Sequence, residues 1–491
     1  MKESFILRTV RGLENVVFGS RPVLIVLFCV ATLFFAVVIA GGLSPLGVKG
    51  VHFDANQNKL VPSDHPYIQT SNQFAAEFGG RDVELIVLEA KTGTIFTKEY
   101  FDELQHVADD LFYLPGVDRS HLQHMFSPNV RVLELTEEGF HASGVVPDDF
   151  KPTPEGFEAV RTNLLKGNLV GRLVSGDFKS AIIAVPLLEH GPSGEKLDNI
   201  EFAQRLQRDI KDKYQALYPN VQIRITGFAS AAGQIAAGVL YVLGFFIAAI
   251  AITAFLLYRV SHHWWLTTAP LLCSLAAVIW QIGLVTLLGY GIDVYSVLLP
   301  FLIMSIGVSH GVQMILSTGQ LAAAGEESYQ AARHSFRRLF LPGGVALITG
   351  VVTFLTITTI KIPVIRELAA TATIGIGSLA FTNLIWLPLM VSYAKISQAT
   401  IAKMQAALDR REKFWHLLAI MVQPRYAVAL SAGGLALGIV AFVVAGNLVV
   451  GDLNQGVPEL RPTASSTATR SISPTISAMA STRCWSMPPA R

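Results

Sequence analysis

Charge is what this sequence has least of. Asp, Glu, Lys and Arg make up only 15% of its 491 residues, against roughly 25% in soluble globular chains. A water-soluble chain of several domains is thereby excluded. The few charges nearly cancel, with 38 basic and 36 acidic residues and a net of +2, so nucleic acid is not a partner. Cysteine is scarce as well. Cys29 and Cys273 fall inside apolar runs and Cys484 lies near the end, which leaves no disulfide framework. The sequence has no G-x-x-x-x-G-K-[ST], since "GPSGEK" (191–196) has the wrong spacing, and no H-E-x-x-H or G-x-S-x-G. An ATPase engine, a zinc peptidase and a serine hydrolase are not expected. Nothing reads as an enzyme or calls for a cofactor, so work done by the chain would draw on an ion gradient or a partner.

Long apolar runs are abundant. Hydrophobic residues are 51% and the mean hydropathy is +0.46. A bilayer core about 30 Å thick takes about 20 apolar residues of helix. Seven stretches qualify: Pro22–Val48, Ile225–Tyr258, Trp264–Ile292, Val294–Gly325, Leu339–Ile360, Leu368–Ala394 and Tyr426–Gly451. The first follows Lys2, Arg8, Arg11 and Arg21 in the manner of a signal peptide. Its length and poor cleavage signal favour a retained anchor. Basic residues set the orientation. They cluster before the first span, at Arg259, at Arg333, Arg337 and Arg338, and between Lys395 and Arg425, all on one side of an alternating thread. Lys361 and Arg366 dissent. Residues 1–21 are therefore expected in the cytoplasm, 22–48 as the first span and 49–230 outside. A five-helix group follows over 232–394, then a cytoplasmic amphipathic segment over 395–425. Residues 426–450 form the last span and 451–491 an external tail.

Residues 49–230 carry most of the charge and read as a water-soluble α+β domain. "DVELIVLEA" (82–90), "NVRVLEL" (129–135), "KSAIIAVPLL" (179–188) and "NVQIRITGF" (220–228) read as strands. Helical periods run over 97–114, 153–165 and 195–217, the second with a Thr cap and a Pro in its first turn. The alternation predicts a small βαβ-type sandwich. His121 and His124 have a metal-compatible spacing, but without further ligands they read as surface histidines.

Ionisable groups at membrane depth are costly and usually functional. His310, in "LLPFLIMSIGVSHGVQMI" (298–315), is the one well inside a span. Ser309, Ser305 and Gln313 accompany it at helical spacing, and Gly307 and Gly311 flank it and permit close helix approach. Thr349, Thr353 and Thr356 make a polar stripe on the next span. Thr371, Gly375, Ser378 and Thr382 make another, with Asn383 alongside. These read either as a polar or proton-relay node or as small-residue packing with backbone-bonded hydroxyls.

The layout resembles the first half of the resistance-nodulation-division (RND) superfamily: one span, an external α+β domain, five clustered spans, then one more. "LVPSDHPYIQTSNQFAAEFGG" (60–80) is similar to the family's opening of the first porter domain, and "ITGF" (225–228) to its close. "GVSHGVQ" (307–313) stands at the fourth-span motif and "PVIRELAATATIGIG" (363–377) at the start of the sixth span. The branch it looks most like is the MmpL-like, sterol-sensing-domain-like exporters, over about residues 1–462. The resemblance implies a multi-pass protein of the bacterial inner membrane, mostly α, with a porter-like extracytoplasmic domain. It would export lipids or other hydrophobic molecules using protons. Its partners would be membrane lipid, a hydrophobic substrate, and a second transporter half or a second copy. The alternatives are a non-transporting sterol-sensing-like module that binds a lipid or partner, and an inactive truncated product. Ser309 and His310 occupy the family's acidic fourth-span position, so its carboxylate relay is missing from this half. "GDLNQGVPELRP" (451–462) is similar to the start of a second porter domain. Residues 463–491, without an acid and without periodicity, read as a frameshifted end or a disordered tail.

Overall fold

The structure is a computed structural model. It describes residues 5–48, 50–53, 82–137, 139–188, 197–293, 295–403 and 418–446, with positions 59, 62, 64–66, 68–70, 73, 74, 406, 416 and 448. All of 451–491 and most of 60–80 and 404–417 lie outside the described residues, and with them the external tail, most of the porter-domain opening and part of the cytoplasmic amphipathic segment. The chain divides into two compact units. One holds the described residues of 1–63 and 241–450, the other those of 64–240.

Seven helices are long and apolar enough to span a membrane: Arg21–Ile39, Phe228–Ser261, Trp264–Leu287, Ser296–Ala323, Ser328–Ile357, Pro363–Val391 and Pro424–Ala445. They fall on the seven apolar runs. The first ends well before Val48, because the chain turns at Gly41 with φ +78, a conformation open to glycine.

In the first unit, α1 (Phe5–Gly19) precedes α2 (Arg21–Ile39). Then come α8 (Trp264–Leu287), α9 (Leu299–Ala323) and α10 (Ser328–Ile357). After α11 (Pro363–Phe381), a π-helical turn (Thr382–Trp386) leads into α12 (Leu387–Val391). The helix α13 (Pro424–Ala445) has no buried residue. Aromatic stacking joins α2 to the bundle. Phe28 lies between Trp280 and Trp386, with ring centroids at 5.6 and 5.3 Å, and Trp280 Nε1 donates to Thr32 Oγ1 at 3.0 Å. Glu14 of α1 is buried and accepts from Arg333 at 2.6 Å and from Arg337.

The second unit is α+β. Its strands are β1 (Val83–Ala90), β2 (Arg131–Thr136), β3 (Gly139–Gly144), β4 (Ser180–Pro186) and β5 (Val221–Thr226). Its helices are α3 (Lys98–Tyr113) and α4 (Pro154–Lys166). Asn199–Arg205 is α5 and Lys213–Leu217 is α6, with a π-helical stretch (Leu206–Asp212) between them. The chain then enters α7 (Phe228–Ser261), itself one of the candidate spans. Thr97 and Thr153 cap α3 and α4, accepting from the backbone N–H groups of Tyr100 and Gly156.

The main sheet has the order β4–β1–β5 and is antiparallel throughout, with Leu88 opposite Ala181 and Ile223. This corrects the expected βαβ sandwich, which needs parallel neighbours. Alternation along the chain does not say which strands pair. "NVRVLEL" is followed at once by a turn and a second strand, so β2 closes on β3 in a separate two-stranded sheet. Ile86 and Leu88 join Leu104, Leu111, Ile183 and Ile223 in the core. Tyr100 fixes α3 to the sheet: its hydroxyl donates to Leu88 O at 2.6 Å and accepts from Ala181 N at 2.9 Å.

Candidate functional site

His310 lies on α9, about three turns from its start, and is partly buried. Its Nδ1 is 3.1 Å from Ile306 O of the preceding turn. A carbonyl only accepts, so Nδ1 carries the proton there and Nε2 is the atom left to exchange one. Gly343 borders the imidazole: a Cβ there would touch His310 Cδ2 at an ordinary contact distance of 3.5 Å, but would clash with Leu384 Cδ2 at 2.9 Å. Beyond the ring is a small cavity of about 20 Å³ lined by His310, Gln313, Phe336, Phe340, Asn383 and Leu384, among others. That volume holds about one water and no lipid.

Asn383 is the residue that the cavity adds. It is 4% exposed. Its Nδ2 donates to Thr382 Oγ1 at 3.3 Å, while its buried Oδ1 finds no protein partner. It sits in the π-helical turn Thr382–Trp386. Such turns add a residue to the helix and recur at functional sites. In sequence Asn383 stands only beside a small-residue stripe, and the π turn leaves no compositional mark.

The other candidate residues separate into groups. Gln313 is exposed but reaches the cavity. Ser305 and Ser309 are exposed and lie away from it. Thr349, Thr353 and Thr356 are exposed on α10. Each bonds a carbonyl of its own helix, at 2.8, 2.8 and 2.6 Å, so the structure does not bring this stripe to His310. The glycines are contact points. A Cβ on Gly307 would lie 2.5 Å from Ser274 Oγ, one on Gly311 2.5 Å from Pro270 Cβ, and one on Gly375 2.6 Å from Ile303 Cγ1. Behind them are polar groups that the sequence reading passed over. Gln281, fully buried on α8, donates to Thr371 O at 3.2 Å, and its Oε1 is without a protein partner.

Within the seven span helices, among the described residues, the one carboxylate is Glu367. It lies in the first turns of α11 and pairs with Lys59 at 2.6 Å. Besides Glu14 and Asp293, which are buried outside the span helices, two buried carboxyls lie in the α+β unit. Glu84 of β1 accepts from Ala229 N at 2.7 Å and from Ser230 N at 3.3 Å, capping the start of α7. A Cβ on Gly227 would fall 2.3 Å from Glu84 Oε1. Burial raises the carboxyl to about 7, against the pull of those N–H bonds. Glu103 of α3 is buried with both oxygens unpartnered, and burial raises it to about 8. The expected surface histidines differ from each other. His121 is exposed and bonded to Asp118 at 2.7 Å, while His124 is partly buried and its imidazole is pushed down to about 4 by burial.

With this geometry in hand, comparison with known families decides the bundle. Residues 259–405 match the sterol-sensing domain, described as that of SREBP cleavage-activation. His310, Gln313, Asn383, Gln281 and the three contact glycines all fall within this sterol-sensing region. The chain is also similar to a protein of Methanocaldococcus jannaschii named as a membrane protein. The two are 20% identical over 390 residues, which cover 74% of this chain and 90% of that one. The chain is a multi-pass membrane protein with a sterol-sensing region, and such a region points to lipid.

Proposed function

We propose that the chain is an RND-type transporter that exports lipids or other hydrophobic molecules and is driven by protons, with the sterol-sensing region as its coupling element. The observation that supports this reading is the meeting of His310, Gln313 and Asn383 in one small cavity of that region. Its size suits a proton and a water, so the lipid is handled elsewhere on the protein. His310 Nδ1 is tied to Ile306 O, so a proton arrives at Nε2. Imidazolium then needs an acceptor, and the unpartnered Oδ1 of Asn383 supplies one. Loss of the proton releases that bond. Because Asn383 stands in a π-helical turn, the exchange biases the packing of α11 and α12 against α9. The test uses the full chain in liposomes with a fluorescent phospholipid and an imposed pH gradient. Gradient-dependent lipid movement that is lost in both His310→Ala and His310→Gln supports the reading. Movement unaffected by either variant refutes it.

A second reading is a lipid-binding module that does not transport. It is favoured by the lack of any unpaired carboxylate in the described span helices, since proton-coupled transporters commonly relay through one. Saturable lipid binding without gradient-dependent movement decides for it.

A further inference from the structure

Sequence alternation sets one face of β2 against the protein and the other against water. Val132 is buried beneath the hairpin. A Cβ on Gly167, just past α4, would meet Val132 at 3.1 Å, and Lys166 pairs with Glu134 at 2.9 Å, so that face rests on α4. The opposite face carries Leu133 and Leu135, and the register sets Ala142 and Phe140 of β3 directly across from them. Leu133, Leu135 and Phe140 are 68, 77 and 84% exposed. Three large side chains in one plane present roughly 400 Å² of apolar surface, as much as the largest patch normally left on a soluble monomer. Neither hairpin edge pairs with another strand among the described residues, and β3 (GFHASG) has no charge and no proline to guard its edge.

We propose that this face packs against the same face of a second copy of the chain, two hairpins stacked about 10 Å apart as a small sandwich. The patch is flat, whereas lipid and small-molecule sites are concave. A flat row of Leu, Leu and Phe is complementary to itself, as an isologous contact requires. Charge agrees. Arg131 stands at the open end of the hairpin and Glu137 at its turn. A two-fold axis crossing the strands between the two faces brings Arg131 of each copy toward the turn of the other. Tethering of two copies in one bilayer also raises the effective concentration of their hairpins. Two such faces bury roughly 800 Å², below the 1,200 Å² of a standard interface, so the contact is weak in dilute detergent and depends on the membrane.

Cross-linking of the full-length protein in liposomes tests this. Cys29, Cys273 and Cys484 are replaced by serine, and single cysteines are introduced by Ala142→Cys on the apolar face or Ser143→Cys on the opposite one. A thiol cross-linker with a spacer matching the sheet separation should trap a dimer of the chain with Ala142→Cys and not with Ser143→Cys. Adding Phe140→Asp should cut the yield about tenfold or more, since a charge cannot enter a dry apolar contact. Phe140 is exposed, so folding should survive, as checked by an unchanged thermal transition. The proposal is overturned if Ala142→Cys stays monomeric at all protein-to-lipid ratios, or if Phe140→Asp leaves the yield unchanged. Labelling of position 142 by a photoreactive lipid instead of by the second copy overturns it as well.

Discussion

Glu84 offers the sharpest quantitative test. Two effects oppose each other at this carboxyl. Backbone N–H groups at the start of α7 favour its charge by about 0.3–2 kcal/mol. Complete burial opposes the charge and is the larger effect, raising the group from 4.5 to about 7. The charged neighbour is Asp82, just before β1, which raises it further. The residue opposite it on β4 is Val185, and those facing it at the end of β5 and the start of α7 are Gly227, Ala229 and Ser230, none of them charged. Because the folded state holds its proton more tightly than the unfolded state, the stabilisation is complete below 4.5. It declines as pH rises and is gone above about 7. The shift is worth roughly 3 kcal/mol. Glu84→Gln keeps an oxygen for Ala229 N and removes the titration. The assay is amide exchange at residues 229 and 230 in the full protein, as the ratio of variant to native protection so that intrinsic rates cancel. At pH 5 the ratio should be near one, and at pH 8 the native protein should be less protected by about a hundredfold. A flat ratio from pH 5 to 8, or greater native protection at pH 8, would refute the reasoning and show that the helix terminus outweighs burial.

The remaining expectations follow from single contacts. Gly311→Ala drives a methyl group into the rigid ring of Pro270 and should cost about 1–3 kcal/mol in detergent melting. Gly377→Ala meets nothing within 4 Å and should leave the melting temperature unchanged or slightly higher, since alanine favours a helix interior over glycine. Glu14→Ala leaves Arg333 and Arg337 facing each other without their shared carboxylate and should cost about 3 kcal/mol, read as a lower melting temperature and faster proteolysis of the N-terminal helix. Burial opposes the charge on Glu14, but the two arginines outweigh it and hold the carboxyl below 4.5. That contribution is therefore present at neutral pH and lost as pH falls below 4.5.

The spans were legible because a bilayer imposes length and apolarity together, and all seven helices lie on the runs that those two rules select. Strand positions were legible from alternation, and the start of α4 from its Thr153 cap. Pairing was not. Whether β1 takes a parallel or an antiparallel neighbour depends on contacts distant in sequence, and the β2–β3 hairpin was read as one strand. Within the bundle, the spacing of Gly307, Gly311 and Gly375 marked close approach, which is where the helices touch. The Thr349 stripe had equal periodicity yet faces outward, because helical spacing reveals that a face exists and not what lies opposite it. Asn383 and Gln281 were overshadowed by His310. An amide in a span gives the sequence reader no titratable signal, although its buried oxygen is as demanding as a charge is rare.

Where the acids lie has a consequence for how proton dependence is assigned. His310 is at the cavity, but the carboxyls raised into the neutral range, Glu84 and Glu103, belong to the α+β unit. A pH profile of transport or binding by the whole chain therefore contains the titration of these two buried acids. The acids act in one direction, stabilising their unit while protonated and destabilising it as pH rises through about 7 and 8. Loss of activity at high pH would then follow from this unit even if the bundle were unaffected. In a Glu84→Gln and Glu103→Gln background that component is absent, and the pH dependence that survives can be put to His310→Gln. If none survives, the proton sensitivity of the protein resides in the α+β unit, and the cavity at His310 is a hydrogen-bonding junction rather than a relay.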